Sequence, residues 1–184
     1  MSARARRSLG SVLAVAAIVI VGGVVKADAP TGQYFAFERD TSCISDTFTK
    51  LTWMRKPLPG TSSAPATYTW HAAAQACANL DLAVPTPWRL PSLNELETLV
   101  DDQPHPEGGN YIAIDVNAFP GTPGSSFWTS SIAQESPTRG WTVEFGLGTT
   151  NPEAIVNPYY VRCVNDWTPG SANEPPYCQA PLSP

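Results

Sequence analysis

The sequence predicts an α+β domain on three observations: two helical segments in succession, a later run of strand-like segments, and terminal strands able to pair with one another. The firmer helix starts within Thr86-Pro87-Trp88-Arg89-Leu90-Pro91-Ser92-Leu93-Asn94-Glu95-Leu96. Pro91 cannot continue a helix upstream, the Ser92 hydroxyl can cap one, and Glu95 stands where its carboxylate can reach back to the cap amide. Leu93, Leu96, Leu99 and Val100 recur at helical spacing, so this helix buries one apolar stripe and runs on to Asp101-Asp102.

The other elements follow in chain order. Gln33 to Arg39 alternates aromatic and polar residues around Tyr34, Phe35 and Phe37 and predicts a first strand; Asp46 to Arg55, with Phe48, Leu51 and Trp53, predicts a second. Pro57 to Pro65 is rich in Pro, Gly and Ser without periodicity and reads as a spacer. Thr69 caps a helix whose Trp70, Ala73, Ala74, Cys77 and Leu80 or Leu82 share one face, which puts Cys77 on the buried side. After the capped helix, Gln103 to Ser126 is punctuated by four prolines and four glycines and predicts a long irregular loop. Three strands complete the domain: Phe127 to Ile132, Gly140 to Phe145 and Tyr159 to Val164. The second alternates Trp141, Val143 and Phe145 against Thr142 and Glu144, the pattern of a half-buried strand.

Arg4, Arg6 and Arg7 precede a charge-free run from Ser8 to Val25, which is a secretory signal pattern. Val25 and Ala27 place the cut before Asp28. Residues 1–27 then read as signal peptide, 28–167 as one domain and 168–184 as a proline-rich tail. The competing reading is an uncleaved anchor, since the eighteen residues lie at the lower edge of a membrane span. Cleavage removes Arg4, Arg6, Arg7 and Lys26 and leaves 7 bases against 16 acids, a charge near −9, with no integral membrane span. Nucleic acid and anionic membrane surfaces are poor partners for such a chain, because counterion-release binding needs clustered Lys and Arg. The remaining length suits a single domain that buries about two-thirds of its unfolded surface.

Four cysteines, Cys43, Cys77, Cys163 and Cys178, predict two disulfides in an exported chain, with three pairings open. No Cys-x-x-Cys spacing supports zinc. Six elements follow one another across residues 46–166: Leu51-Thr52-Trp53; Thr69-Trp70 with Ala73 and Cys77; Trp88-Arg89-Leu90-Pro91-Ser92 with Glu95-Leu96; Ile114-Asp115 with Ala118-Phe119-Pro120; Phe127-Trp128-Thr129-Ser130-Ser131; and Tyr160-Val161-Arg162-Cys163-Val164. In that order they resemble the family named for the C-terminal domain of the Legionella collagen-like adhesin. The resemblance implies a C-type-lectin-like fold, shared with the formylglycine-generating enzymes, in which two helices pack on a twisted antiparallel sheet with long irregular loops, stabilised by disulfides. It also implies that Cys77 pairs with Cys163, leaving Cys43 with Cys178. Two positions depart from the family: Lys50 stands where glycine tends to precede the Leu-x-Trp element, and Ser92 where threonine is usual. Serine caps at least as well.

Candidate chemistry is sparse. His71 and His105 have no supporting nucleophile motif and read as surface histidines. The enzyme branch of the fold needs a pair of reduced cysteines to hold copper, whereas all four cysteines here have structural partners to hand. Calcium is the candidate cofactor, with Asp101, Asp102, Glu107 and Asp115 as ligands beside Asn110 and Asn117, because calcium takes six to eight oxygens. Their spacing follows no loop template, and an acidic loop is more often merely solvated. Asn165-Asp166-Trp167 and Asn151-Pro152-Glu153 have lectin-like composition in the wrong order and read as chance.

Trp53, Trp70, Trp88 and Trp128 belong to the shared elements and read as core. Trp141, Tyr111 and Tyr159, with Glu144 on the strand of Trp141, are the candidates for an exposed platform that stacks on a sugar ring. Arg89 reads as structural, its five donors reaching carbonyls of the long loop. The expected function is an exported, non-enzymatic, adhesin-like module that binds a glycan or a surface protein in a secreted, periplasmic or cell-surface setting. The alternatives are a structural component of an envelope or pilus-like assembly and, remotely, a formylglycine-generating-type oxidase. The name-giving adhesin implies sulfated polysaccharide as ligand, but a charge near −9 favours a neutral glycan or a protein.

Overall fold

The structure, a computed structural model, describes residues 29–37, 40–60, 64–82, 87–107 and 110–166. The expected signal peptide (1–27), the proline-rich tail (168–184) and Cys178 lie outside the described residues. Among the described residues no helix is long and apolar enough to cross a membrane.

The first strand, β1 (Tyr34–Phe37), pairs antiparallel with β2 (Asp40–Asp46), which turns back into β3 (Leu51–Met54). The single strand expected from Asp46 to Arg55 is therefore the closing half of a hairpin. Asp46 makes the turn: its carboxylate accepts the Phe48 and Thr49 amides and the Thr49 hydroxyl at 2.8 to 3.4 Å. Phe48 consequently sits at the tip, 64 % exposed, instead of in a strand.

The short β4 (Thr67–Tyr68) leads into α1 (Trp70–Ala78), whose Ala73 and Cys77 are buried as their spacing predicts. Thr69 holds the cap position, but its hydroxyl makes no capping bond, and the Trp70 amide donates to the Ile155 carbonyl. The second helix, α2, spans only Leu93–Glu97 and opens with both halves of the expected capping box between Ser92 and Glu95. It stops short of Asp101 because the Thr98, Leu99 and Val100 amides bond three residues back, which tightens the last turn. Leu96 and Leu99 stay buried.

The stretch expected as an irregular loop holds a hairpin, β5 (His105–Glu107) and β6 (Asn110–Ile112). Next come β7 (Ser126–Ile132) and β8 (Arg139–Glu144), where their alternation predicts them, and β9 (Thr149–Ala154), which the sequence reading missed. Pro152 argues against a strand, yet β9 is the edge of its sheet, where a missing N–H costs no ladder bond. The strand expected from Tyr159 to Val164 divides into β10 (Tyr159–Tyr160) and β11 (Val164–Asn165), which join different sheets.

One sheet has the order β1-β2-β3-β11 and the other β4-β10-β7-β8-β9, with β10 and β7 parallel. Consecutive residues of the central strands divide between two cores. Cys43, Met54, Trp128 and Cys163 pack with Ala73 and Cys77 of α1 and with Trp88; Ile44, Trp53, Phe127 and Val164 pack with Leu96, Leu99 and Phe119. Neighbouring strand residues point to opposite faces, so α1 and α2 cover opposite faces of β7.

Trp53, Trp88 and Trp128 are at most 2 % exposed, and Trp70 is half-buried with its indole N–H donated to the Thr129 carbonyl. Gly140 lets the indoles close in, since a Cβ there would lie 2.8 Å from the Trp70 ring. Cys77 and Cys163 are joined across 86 residues, the pairing that the resemblance implies. A loop of that length is worth about 4–5 kcal/mol in the chain-entropy picture. Cys43 is also disulfide-bonded; its expected partner is Cys178.

Candidate functional site

The Trp88-to-Ser92 stretch runs beside β11, where the Arg89 and Val164 backbones exchange two hydrogen bonds of 3.0 and 2.9 Å. Arg89 thereby sits at the margin of the sheet. Its Nη1 and Nη2 donate to the two Glu95 oxygens at 2.9 and 2.8 Å, and its Nε and Nη2 donate to Asp166. Glu95 Oε2 also accepts the Ser92 amide at 2.7 Å, so the capping box and the arginine share one carboxylate. The bond from Arg89, opposed by burial, holds the Glu95 carboxyl down at about 2. The expectation that Arg89 ties loop carbonyls is thus corrected. The first turn of α2 brings Glu95 within its reach, and Asp166, read as part of a chance motif, is its other partner.

Two other arginines hold that loop. Arg55 donates to the Ala118 and Asn117 carbonyls at 3.0 and 2.7 Å. Arg162, fully buried, donates through Nη1 to the Met54 and Arg55 carbonyls at 2.6 and 2.7 Å and through Nη2 to Thr122 Oγ1 at 2.7 Å. Its guanidinium lies 4.7 Å from the Phe119 ring centre and 5.8 Å from that of Phe127. Burial pulls Arg162 below the usual guanidinium range, and it stays charged. The sequence carried one signal for it: an arginine inside the apolar run Tyr-Val-Arg-Cys-Val, where a buried charge must find partners.

This stitching fixes one wall of a cavity of about 450 Å³, lined by Gln33 and Tyr34, by Thr98 to Asp102 after α2, and by Asp115. The Tyr34 ring stands edge-on to Phe119 at 5.0 Å. Burial first, then the charges of Asp46 and Asp115, push its phenol well above the usual tyrosine range, with Arg162 opposing. The cavity collects Asp101, Asp102 and Asp115, three of the four expected calcium ligands; the side chain of the fourth, Glu107, lies outside the described residues. Asp115 Oδ1 is turned to the Asn117 and Ala118 amides at 2.8 and 3.0 Å, and Asp101 Oδ1 to the Gln103 amide at 2.8 Å. Among the described residues no three acidic, histidine or cysteine side chains converge to hold a metal. Among the described residues these carboxylates line a space and do not converge into a cage.

The expected sugar platform does not assemble at the cavity, since none of Trp141, Glu144, Tyr111 and Tyr159 lines it. Trp141 is half-buried opposite Pro152 of β9. Glu144 is committed to the β8–β9 turn, accepting the Gly146 and Leu147 amides at 2.7 and 2.8 Å. Tyr159 is half-buried, edge-on to Trp128 at 5.1 Å; burial and a hydrogen bond to Glu153 raise its phenol. Tyr111 is the exposed member, at 64 %, with Leu147 of the neighbouring turn at 75 %. A second groove, of about 280 Å³, lies between α1 and Trp88 to Leu90. His71 is exposed and stands edge-on to Trp70.

No curated protein matches the chain. One family does: the Lcl C-terminal domain matches residues 42–165, which take in the Arg89–Glu95 pair, the buried Arg162 and the Thr98-to-Asp102 and Asp115 side of the cavity. The chain belongs to the Lcl C-terminal domain family.

Proposed function

We propose that this chain is an exported, non-enzymatic, adhesin-like binding module of the C-type-lectin-like fold. It takes a neutral glycan at the cavity between β1 and α2 and works in a secreted, periplasmic or cell-surface setting. The observation that carries the reading is the cavity itself, of about 450 Å³ and lined by Tyr34, Thr98, Asp101, Asp102 and Asp115. That volume is in the range of small-ligand sites, and carboxylates with a phenol and a hydroxyl accept and donate hydrogen bonds to sugar hydroxyls. Sulfated polysaccharide fits poorly, because its anions would meet three carboxylates. The lectin-like part of the reading rests on fold-level analogy.

The test is a glycan array run once with calcium and once with chelator. Binding to neutral glycans in both conditions, weakened about tenfold by Asp102→Asn, is the expected result, a tenfold change being about 1.4 kcal/mol. Binding only with calcium would return the carboxylates to a metal role. Silence in both favours the second reading, a structural domain docked on a protein of an envelope or pilus-like assembly, for which the exposed Tyr111 and Leu147 are the natural contacts. A formylglycine-generating-type oxidase needs two reduced cysteines, whereas Cys43, Cys77 and Cys163 are all disulfide-bonded. Thiol titration that found two accessible thiols would revive the oxidase.

A further inference from the structure

We infer that Arg162 is a positioning residue for the cavity: acting through Thr122 and Phe119, it sets where Tyr34 and the Asp115 wall stand. The inference rests on the cavity being the binding site. Three contacts form the linkage. Arg162 Nη2 donates to Thr122 Oγ1 at 2.7 Å, that hydroxyl donates to the Phe119 carbonyl at 2.7 Å, and the guanidinium lies over the Phe119 ring. Phe119 carries the arrangement both ways: its ring meets the edge of Tyr34, and its amide donates to the Asp115 carbonyl at 2.8 Å. At the other end, Nη1 is anchored on the Met54 and Arg55 carbonyls at the end of β3, a frame belonging to the sheet and not to the loop.

A guanidinium suits this post, because its planar fork fixes several acceptors at once while its face lies on a ring. No carboxylate joins it in an ion pair among the described residues. Its orientation therefore follows from the carbonyls, the hydroxyl and the rings alone. Moving any of these moves the wall.

Thr122→Val and Thr122→Ser test the linkage without touching Arg162 or any cavity carboxylate. Half-buried against Phe119, Tyr34 in the wild type is expected to stay out of the alkaline absorbance transition that ordinary tyrosines show near about pH 10. In Thr122→Val one further tyrosine joins that transition, and a Tyr34→Phe control identifies it. Amide exchange over residues 115–122 quickens at least tenfold while that of α1 is unchanged, and Thr122→Ser restores both readouts. A valine variant that merely lowers the melting temperature, with the tyrosine titration and loop exchange unaltered, overturns the inference. Neither readout uses a ligand, so a silent glycan array would sink the binding reading and leave this result to stand or fall separately.

Discussion

Arg89 and Arg162 do similar work by opposite means. Arg89 lies at the margin, its side chain 37 % exposed, and is held by two carboxylates; Arg162 is fully buried and held by carbonyls, a hydroxyl and aromatic faces. The first is a screened surface pair, whose net worth is small because water competes for both partners. The second is a cation taken out of water, strongly destabilising only when its surroundings are left incomplete. Conspicuous charge pairing is therefore a poor guide to which arginine the domain depends on.

The largest effect should come from Arg162→Met. The substitution removes the donor from the Met54 and Arg55 carbonyls and from the Thr122 oxygen, and methionine can bond none of them. We expect a loss of about 3–5 kcal/mol in urea unfolding, or no folded protein. A loss below about 1 kcal/mol would reverse the ranking of the two arginines.

Arg89→Ala should cost about 1 kcal/mol at neutral pH, a figure already lowered for solvent screening. Its more telling signature is in acid. Glu95 is held below the ordinary carboxylate range at about 2, mainly by Arg89, so the folded state binds that proton less readily than the unfolded chain. The contribution is complete above the unfolded value and disappears as pH falls from about 4 towards about 2. Wild type should therefore lose stability through that window, and Arg89→Ala should lose less. Urea midpoints that fell in parallel for both proteins would show that Glu95 does not depend on Arg89.

Legibility in the sequence divided along the same line. The capping box was readable because Ser92, Glu95 and Arg89 lie within six residues, and chain-local chemistry leaves a pattern in the letters. The acceptors of Arg162 lie 108, 107 and 40 residues away, so only the fold could name them. The cavity was half legible. Asp101, Asp102 and Asp115 were singled out as oxygens near a loop, but Tyr34 reaches them only because β1 returns to the end of α2. The residues around Trp141 lie apart from the cavity, and alternation, which tells the face a side chain takes, could not tell that the Gly146 and Leu147 amides hold Glu144 in a turn. β9 carries Pro152, which an edge strand tolerates and a central one cannot.

The smallest effect, and one of opposite sign, isolates backbone from charge. Lys50, exposed at the end of the β2–β3 turn, adopts φ +62°, in the left-handed region that glycine takes without strain. A side chain there costs about 1–2 kcal/mol, and glycine returns about 0.5–1 of that through its greater freedom in the unfolded chain. Lys50→Gly should therefore gain about 0.5–1 kcal/mol in urea unfolding. Lys50→Asn should gain part of it, because asparagine tolerates the left-handed region, and Lys50→Ala nothing. If alanine gained as much as glycine, the removed charge and not the backbone would be responsible. The order Gly, Asn, Ala would instead place Lys50 with neither arginine, as a position where backbone geometry decides and the charge is incidental.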